Sequence, residues 1–221
     1  MLPHIWELIE SHTDKRSVMR AVAQVWDKGS AEYADIQEAY CDAFRGHRDQ
    51  TRDSGERYFR HVLGVVIIIL CWLKIHDADL IIAAFLHDLV EDKPHLWTLR
   101  KIEAKYGKRV ANLVRAVTKP EYSRYGGKTE RHAVATANKV RMGGRIAIIL
   151  KLADRLHNML TLWGTPRKKQ SKIRETTIYY LPMAHQVKLL WRELHLAIAE
   201  QIKSDHMYDN EDSEVGHDLL A

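Results

Sequence analysis

The 221-residue chain is poor in the residues that build specialised scaffolds: it has two cysteines, five prolines and three phenylalanines. Cys41 and Cys71 have neither metal-binding nor redox spacing, which argues against a disulfide framework or a thiolate metal cluster. Both fall on apolar helical faces and read as reduced thiols of a cytoplasmic protein. Residues 1–10 lack a basic start followed by an apolar run, so no signal peptide is expected. No apolar run is long enough to cross a bilayer. Val62 to Leu73 comes nearest, and Lys74, His76, Asp77 and Asp79 interrupt it. Alternating strand patterns and internal repeats are also missing. Residues 204–221 contain no Lys or Arg but six acids, so the rest of the chain is more basic than the formal net charge of +5 indicates. That stretch reads as a disordered acidic tail. The basic body suits a polyanionic ligand such as a nucleotide. Its cations are scattered and match no nucleic-acid module, so nucleic acid is the weaker partner reading. The sequence leaves oligomeric state open.

What is present is helix. With 46% hydrophobic residues the chain can bury a sizeable core. Periodicity predicts an all-α multi-helix bundle, with a helical extension over 1–45 and the main domain over 46–203. Short amphipathic segments cover Ile5–Ser11 and Val18–Lys28, and Ser30 caps a helix reaching Phe44. A polar loop from Gly46 to Arg57 precedes a long core helix, Tyr58–Ile75. Asp77 caps the next, expected to run through His87 to Asp92. Thr98 caps a helix to Tyr106, and Gly107 separates it from the next, Lys108–Thr118. A basic loop from Lys119 to Lys128 separates it from helices over 129–142, 145–162 and 167–181. The last helix, 183–203, is divided from its predecessor near Pro182.

Chemistry concentrates in three places. Phe85-Leu86-His87-Asp88-Leu89-Val90-Glu91-Asp92 sets an imidazole and three carboxylates at the end of an apolar helix. Spacings of three and four stack side chains on one helical face, so a cation or a matched set of partners is expected there. A helix end simply turning polar in solvent is the plainer reading. Asp154, Asn158 and Thr161 form a polar stripe on a second apolar helix, with Arg155 as a candidate partner for Asp154. His61 opens a third, and taken alone it reads as a structural histidine. Together His61, His87, Asp88 and Asp154 offer two nitrogens and two oxygens, a mixed set suited to a divalent transition ion.

The order H…HD…D is similar to that of the HD-domain metal-dependent phosphohydrolases. Ser54-Gly-Glu-Arg-Tyr58-Phe-Arg-His61, Ala84-Phe-Leu-His87-Asp88-Leu-Val-Glu91-Asp92, Val117-Thr-Lys119, Lys151-Leu-Ala-Asp154-Arg155-Leu-His157-Asn158-Met and Ile178-Tyr-Tyr-Leu-Pro182-Met-Ala-His185 resemble the hydrolase domain of the RelA/SpoT alarmone enzymes. The resemblance implies an HD-domain bundle, here as a small stand-alone hydrolase. It implies Mn2+ held by His61, His87, Asp88 and Asp154, with Glu91 and Asp92 activating water or handling the leaving group. Arg52, Ser54, Asn158 and Thr161 match nucleotide-contacting positions. The implied reaction removes the 3′-diphosphate of guanosine tetra- or pentaphosphate, giving GDP or GTP and pyrophosphate. Arg131, Arg167, Lys168 and Lys169, with Arg124 and Lys128, are candidates to neutralise polyphosphate. Asp53 stands where the family commonly has a cation, and Arg57 and Val62 stand where it usually has proline. Hydrolysis of another nucleotide, or a toxin-neutralising role, remains as an alternative.

Overall fold

The computed structural model describes residues 2–119 and 130–215, with side chains as far as residue 203. In chain order the described residues form α1 (Leu2–Glu10), α2 (Lys15–Val22), α3 (Ala31–Gly46) and α4 (Tyr58–Ile67), which continues as a π-helical turn, π1 (Ile68–Trp72). Then come α5 (Ala78–Leu86), α6 (Leu89–Asp92), α7 (Leu99–Val117), α8 (Glu130–Met142), α9 (Gly144–Leu160) and α10 (Pro166–Glu175). A second π turn, π2 (Thr176–Tyr180), leads into α11 (Leu181–Val187) and α12 (Trp191–Val215). No strand occurs among the described residues beyond an isolated bridge between Thr51 and Arg57. No described helix is long and apolar enough to cross a membrane.

Side-chain caps fix several starts. Asp14 forms a capping box with Ser17, and Ser30, Asp77, Thr98 and Thr165 each accept from a backbone N–H in the first turn of the following helix. Helix α5 is apolar on all sides because it is covered on all sides: it packs on α3, α4, α7 and α9. Leu80, Ile81, Phe85 and Leu86 are fully buried, each contributing roughly 1.5–3 kcal/mol relative to exposure. Helices α4 and α9 are buried nearly as deeply, so His61 on the first and Lys151, Asp154, Arg155 and His157 on the second are surrounded by protein.

The boundaries differ from the expected ones at four informative places. The helix holding His87 does not run on to Asp92. It stops at Leu86, and α6 is a separate single turn. Adjacent residues of a regular helix point about 100° apart and do not face each other; the junction lets His87 and Asp88 converge. The long helix from Tyr58 ends by way of π1, where Leu73 N–H donates to the Ile68 carbonyl at 2.9 Å, and Lys74 then adopts a left-handed φ of 53°. Pro182 lies in the first turn of α11, where its missing N–H is harmless. The actual break is at Lys188–Leu190, with φ of 58° at both ends. Finally, α12 is helical to Val215, past the boundary expected at residue 203. The loop residues Arg124 and Lys128 lie outside the described residues.

Candidate active site

Three buried helices deliver the candidate metal ligands: α4 brings His61, the α5–α6 junction His87 and Asp88, and α9 Asp154. One donor atom from each of His61, His87 and Asp88 lies within 4.8 Å of the others. His87 Nε2 is 2.9 Å from Asp88 Oδ2, and His61 Nε2 is 3.7 Å from the same oxygen. Asp154 Oδ1 approaches His61 Nε2 at 3.3 Å, beside the triad.

The surroundings aim these atoms. His87 Nδ1–H donates to the Ala84 carbonyl at 2.8 Å, which turns Nε2 inward; that nitrogen is buried with no hydrogen-bond partner. A buried, unpartnered imidazole nitrogen among carboxylates is what a divalent cation requires, and the donor set fits one. Tyr58 Oη–H donates to Asp88 Oδ2 at 2.5 Å. Lys151 Nζ lies 2.7 Å from Asp154 Oδ2, and Asn158 Nδ2–H donates to Asp154 Oδ1 at 2.6 Å. Lys151, not Arg155, is therefore the partner of Asp154. Arg155 turns away to Glu175 and lies over the Tyr180 ring, 4.3 Å from its centroid.

Burial and charge pull the titrations apart. Burial lowers the His61 pKa against the opposing pull of Asp154, and lowers His157 well below the usual imidazole value, with His61 adding to the effect. At His87 burial also favours the neutral ring, but the neighbouring Asp88 and Asp154 outweigh it and raise the pKa to about 9. For Asp88 and Asp154 burial favours protonation; His87 at the first and Lys151 at the second overcome it, so both stay below the ordinary carboxylate range. The net field therefore favours a cation at this point.

Glu91 and Asp92 project from α6 at the edge of the cluster. Asp92 Oδ2 accepts from Gln50 Nε2–H at 2.8 Å, and Gln50 Oε1 is in turn 2.8 Å from His47 Nδ1. Burial first, then the charges of Asp88 and Glu91, raise the Asp92 pKa to about 6. Glu91 pairs with the Lys119 ammonium and accepts from its backbone N–H at 3.2 Å. Both carboxylates border a cleft of about 860 Å³ whose walls carry Lys119, Arg167, Lys168, Lys172 and Arg174, with Ile178 and Tyr179 as an apolar side. Arg167 and Lys168 thus line it as expected, whereas Arg131 and Lys169 are not among its walls.

The loop before α4 is a tight turn. Arg52 N–H donates to the Glu56 carbonyl at 2.8 Å, and Gly55, at φ 83°, closes the turn by donating to the Arg52 carbonyl. It directs Arg52 across to α9, where Nη1–H donates to Thr161 Oγ1 at 2.7 Å and Nη2–H to Asn158 Oδ1 at 2.8 Å. Asn158 thereby links Arg52 to Asp154. Ser54 is exposed on this turn, and Asp53 beside it pairs with Lys168 from α10. The sequence reading assigned no role to Gln50, His47, Tyr58, Lys151 or His157. Spacing along the chain gives no signal for contacts made across it.

Residues 39–189 match the model of the HD domain. Over 183 residues the chain is 35% identical to the bifunctional (p)ppGpp synthase/hydrolase SpoT of Escherichia coli K12, covering 79% of this chain and 24% of that protein. It is 39% identical over 158 residues to the guanosine-3′,5′-bis(diphosphate) 3′-pyrophosphohydrolase of Aquifex aeolicus, covering 69% of this chain and 21% of the relative. The chain thus spans less than a quarter of the length of these relatives. Among solved structures, one described as a metazoan ortholog of SpoT that hydrolyzes ppGpp superposes with a TM-score of 0.66. The match covers 76% of this chain and 96% of that one at 24% identity, and so speaks to the fold. The helical architecture, the buried His-Asp centre and the family match over most of the chain agree: this protein belongs to the HD-domain family.

Proposed function

We propose that the chain is a divalent-metal-dependent hydrolase of guanosine polyphosphates that removes the 3′-diphosphate, with Mn2+ as its ion. The observation that carries this reading is the convergence of His61, His87 and Asp88 within 4.8 Å, joined through Glu91 and Asp92 to a cleft whose mixed walls carry both carboxylates and Lys and Arg side chains. The relatives named as guanosine-3′,5′-bis(diphosphate) 3′-pyrophosphohydrolases supply the substrate class.

His61, His87, Asp88 and Asp154 would hold the ion, which supplies Lewis-acid polarisation of phosphoryl oxygen and acidifies water. The protein's own groups account for the remainder. In the net reaction the oxygen of water joins phosphorus, the bond from phosphorus to the 3′-oxygen breaks, and that oxygen ends protonated. Asp92, with a pKa of about 6, has both of its protonation states within reach near neutrality and suits the proton transfers. Gln50 orients it. Glu91 holds Lys119 at the cleft wall, where the ammonium meets phosphate charge. Asn158 and Thr161 act through Arg52: with two N–H groups tied to α9, the planar guanidinium is set to stack on or hydrogen-bond a purine. Ser54, exposed on the same turn, would contact the same ligand.

The test is metal-stripped protein reloaded with Mn2+ and given matched guanosine and adenosine polyphosphates, with products resolved by ion-exchange chromatography. GDP and pyrophosphate in equal amounts from guanosine tetraphosphate are expected, with no turnover in excess chelator. Equal turnover of the adenosine compounds would remove the assignment to guanosine.

A further inference from the structure

We propose that His157 is a positioning residue that fixes the His61 ring as a metal ligand, accepting a hydrogen bond from His61 Nδ1–H so that Nε2 keeps its lone pair for the ion. This rests on the metal-binding reading of His61 and is independent of which nucleotide is hydrolysed.

The two rings meet edge to face, 4.9 Å between centroids and 72° between planes, with His61 Nδ1 and His157 Nδ1 3.0 Å apart. Both residues are 2% exposed. Ring nitrogens approach this closely as a hydrogen bond when one carries the hydrogen and the other offers a lone pair. The other nitrogen of His61, Nε2, faces Asp154 and Asp88. An imidazole that ligates through Nε2 carries its hydrogen on Nδ1, so His61 is the donor and His157 the acceptor. His157 must then carry its own hydrogen on Nε2.

His87 offers an internal comparison. Its Nδ1–H donates to the Ala84 carbonyl, an acceptor that cannot change roles. His61 relies instead on a second imidazole, whose tautomer decides whether Nδ1 accepts. An independent feature shows that the fold makes room for this ring. Gly64 lies three residues beyond His61, and a Cβ there would fall 2.0 Å from His157 Cδ2 and 2.2 Å from Nε2. Any side chain at position 64 would drive the ring from its place against His61. His157 is itself three residues past Asp154, so α9 supplies one candidate ligand and steadies another.

The experiment is Mn2+ binding by chelator competition on the full chain and two variants. His157→Leu removes the acceptor at similar volume and should weaken Mn2+ about 10–100-fold, the scale for outer partners of ligating histidines. His157→Asn returns an oxygen near the Nδ1 position and should recover most of that loss, which a purely space-filling role would not produce. Long-range 1H–15N spectra of the parent loaded with diamagnetic Zn2+ should show His157 protonated on Nε2, a readout that needs no variant to fold. Parent-like Mn2+ affinity in His157→Leu, an Asn variant as weak as the Leu variant, or a His157 hydrogen on Nδ1 each overturns the proposal. His61→Ala separates the two levels: parent-like Mn2+ affinity there refutes the metal reading itself, whereas its loss alongside an intact His157→Leu refutes the positioning role alone.

Discussion

The protein buries two acidic clusters, and they are built differently. Between α3 and α7, Asp42 is 3% exposed and completely partnered: Oδ2 accepts from Lys105 Nζ and Tyr106 Oη, each at 2.7 Å, and Oδ1 from Arg45. Burial favours its protonation, but the hydrogen bonds from Lys105, Tyr106 and Arg45 outweigh it and lower the pKa. Between α4, α5 and α9, Asp154 is buried as deeply, while the Asp88 side chain is 17% exposed. Asp88 and Asp154 oppose each other, and His87 Nε2 lacks a hydrogen-bond partner. A buried charge is costly unless matched. The first cluster is matched from within the chain and serves the fold. The second has partners of its own in Tyr58 and Lys151, yet its convergent His-Asp donor atoms could also hold a cation, which the Asp42 network could not.

The sharpest way to break this contrast is to remove one carboxylate from each side. Asp88→Ala should reduce turnover to background while the metal-free protein still folds, with a lowered thermal midpoint because Tyr58 loses its acceptor and His87 its charge partner. Loss of fold on that substitution would class the site with the Asp42 network. Asp92→Asn should retain Mn2+ and lower kcat by about 10²–10⁴-fold, the scale of general acid–base catalysis. A rate within threefold of the parent would confine Asp92 to shaping the cleft.

The reciprocal substitution, Asp42→Ala, should destabilise by about 1–3 kcal/mol in denaturant titration, because Tyr106 loses its acceptor while Lys105 and Arg45 can turn to water. Mn2+ affinity should not change. Arg52→Lys should raise KM with a much smaller change in kcat, the signature of lost uniform binding, because a lysine cannot bridge Asn158 and Thr161 as the guanidinium does. The smallest effect is on pH. Asp42 has a folded pKa below its unfolded value, so its contribution is complete above the unfolded pKa and disappears as pH falls through the folded one. Acid unfolding of Asp42→Asn, followed by circular dichroism, should therefore show a shallower loss of stability below about pH 4 than the parent.

Much of this was readable from residue types. Ser30, Asp77 and Thr98 mark helix starts by their capping chemistry, and the His-Asp pair in an apolar helix announces a site before any contact is known. The end of α5 at Leu86 was not readable, since the local residues permit a continuous helix to Asp92. Pro182 misled because proline both ends helices and starts them. The partners were hidden for a different reason. Gln50 meets Asp92 across 42 residues of chain and Arg52 meets Thr161 across 109. Asp53, conspicuous as a missing cation beside Arg52, acquires one in space from Lys168.

The contrast between the Asp42 network and the His-Asp centre is tested most directly by thermal unfolding of the full chain and its two acid variants, with and without Mn2+. An ion that binds only the folded state adds about 2.7 kcal/mol at a hundred times its Kd. The parent and Asp42→Ala should both gain that increment, Asp42→Ala from a lower starting midpoint, and Asp88→Ala should gain nothing. An Asp88→Ala midpoint that rises with Mn2+ as the parent's does would contradict the claim that this centre holds a cation.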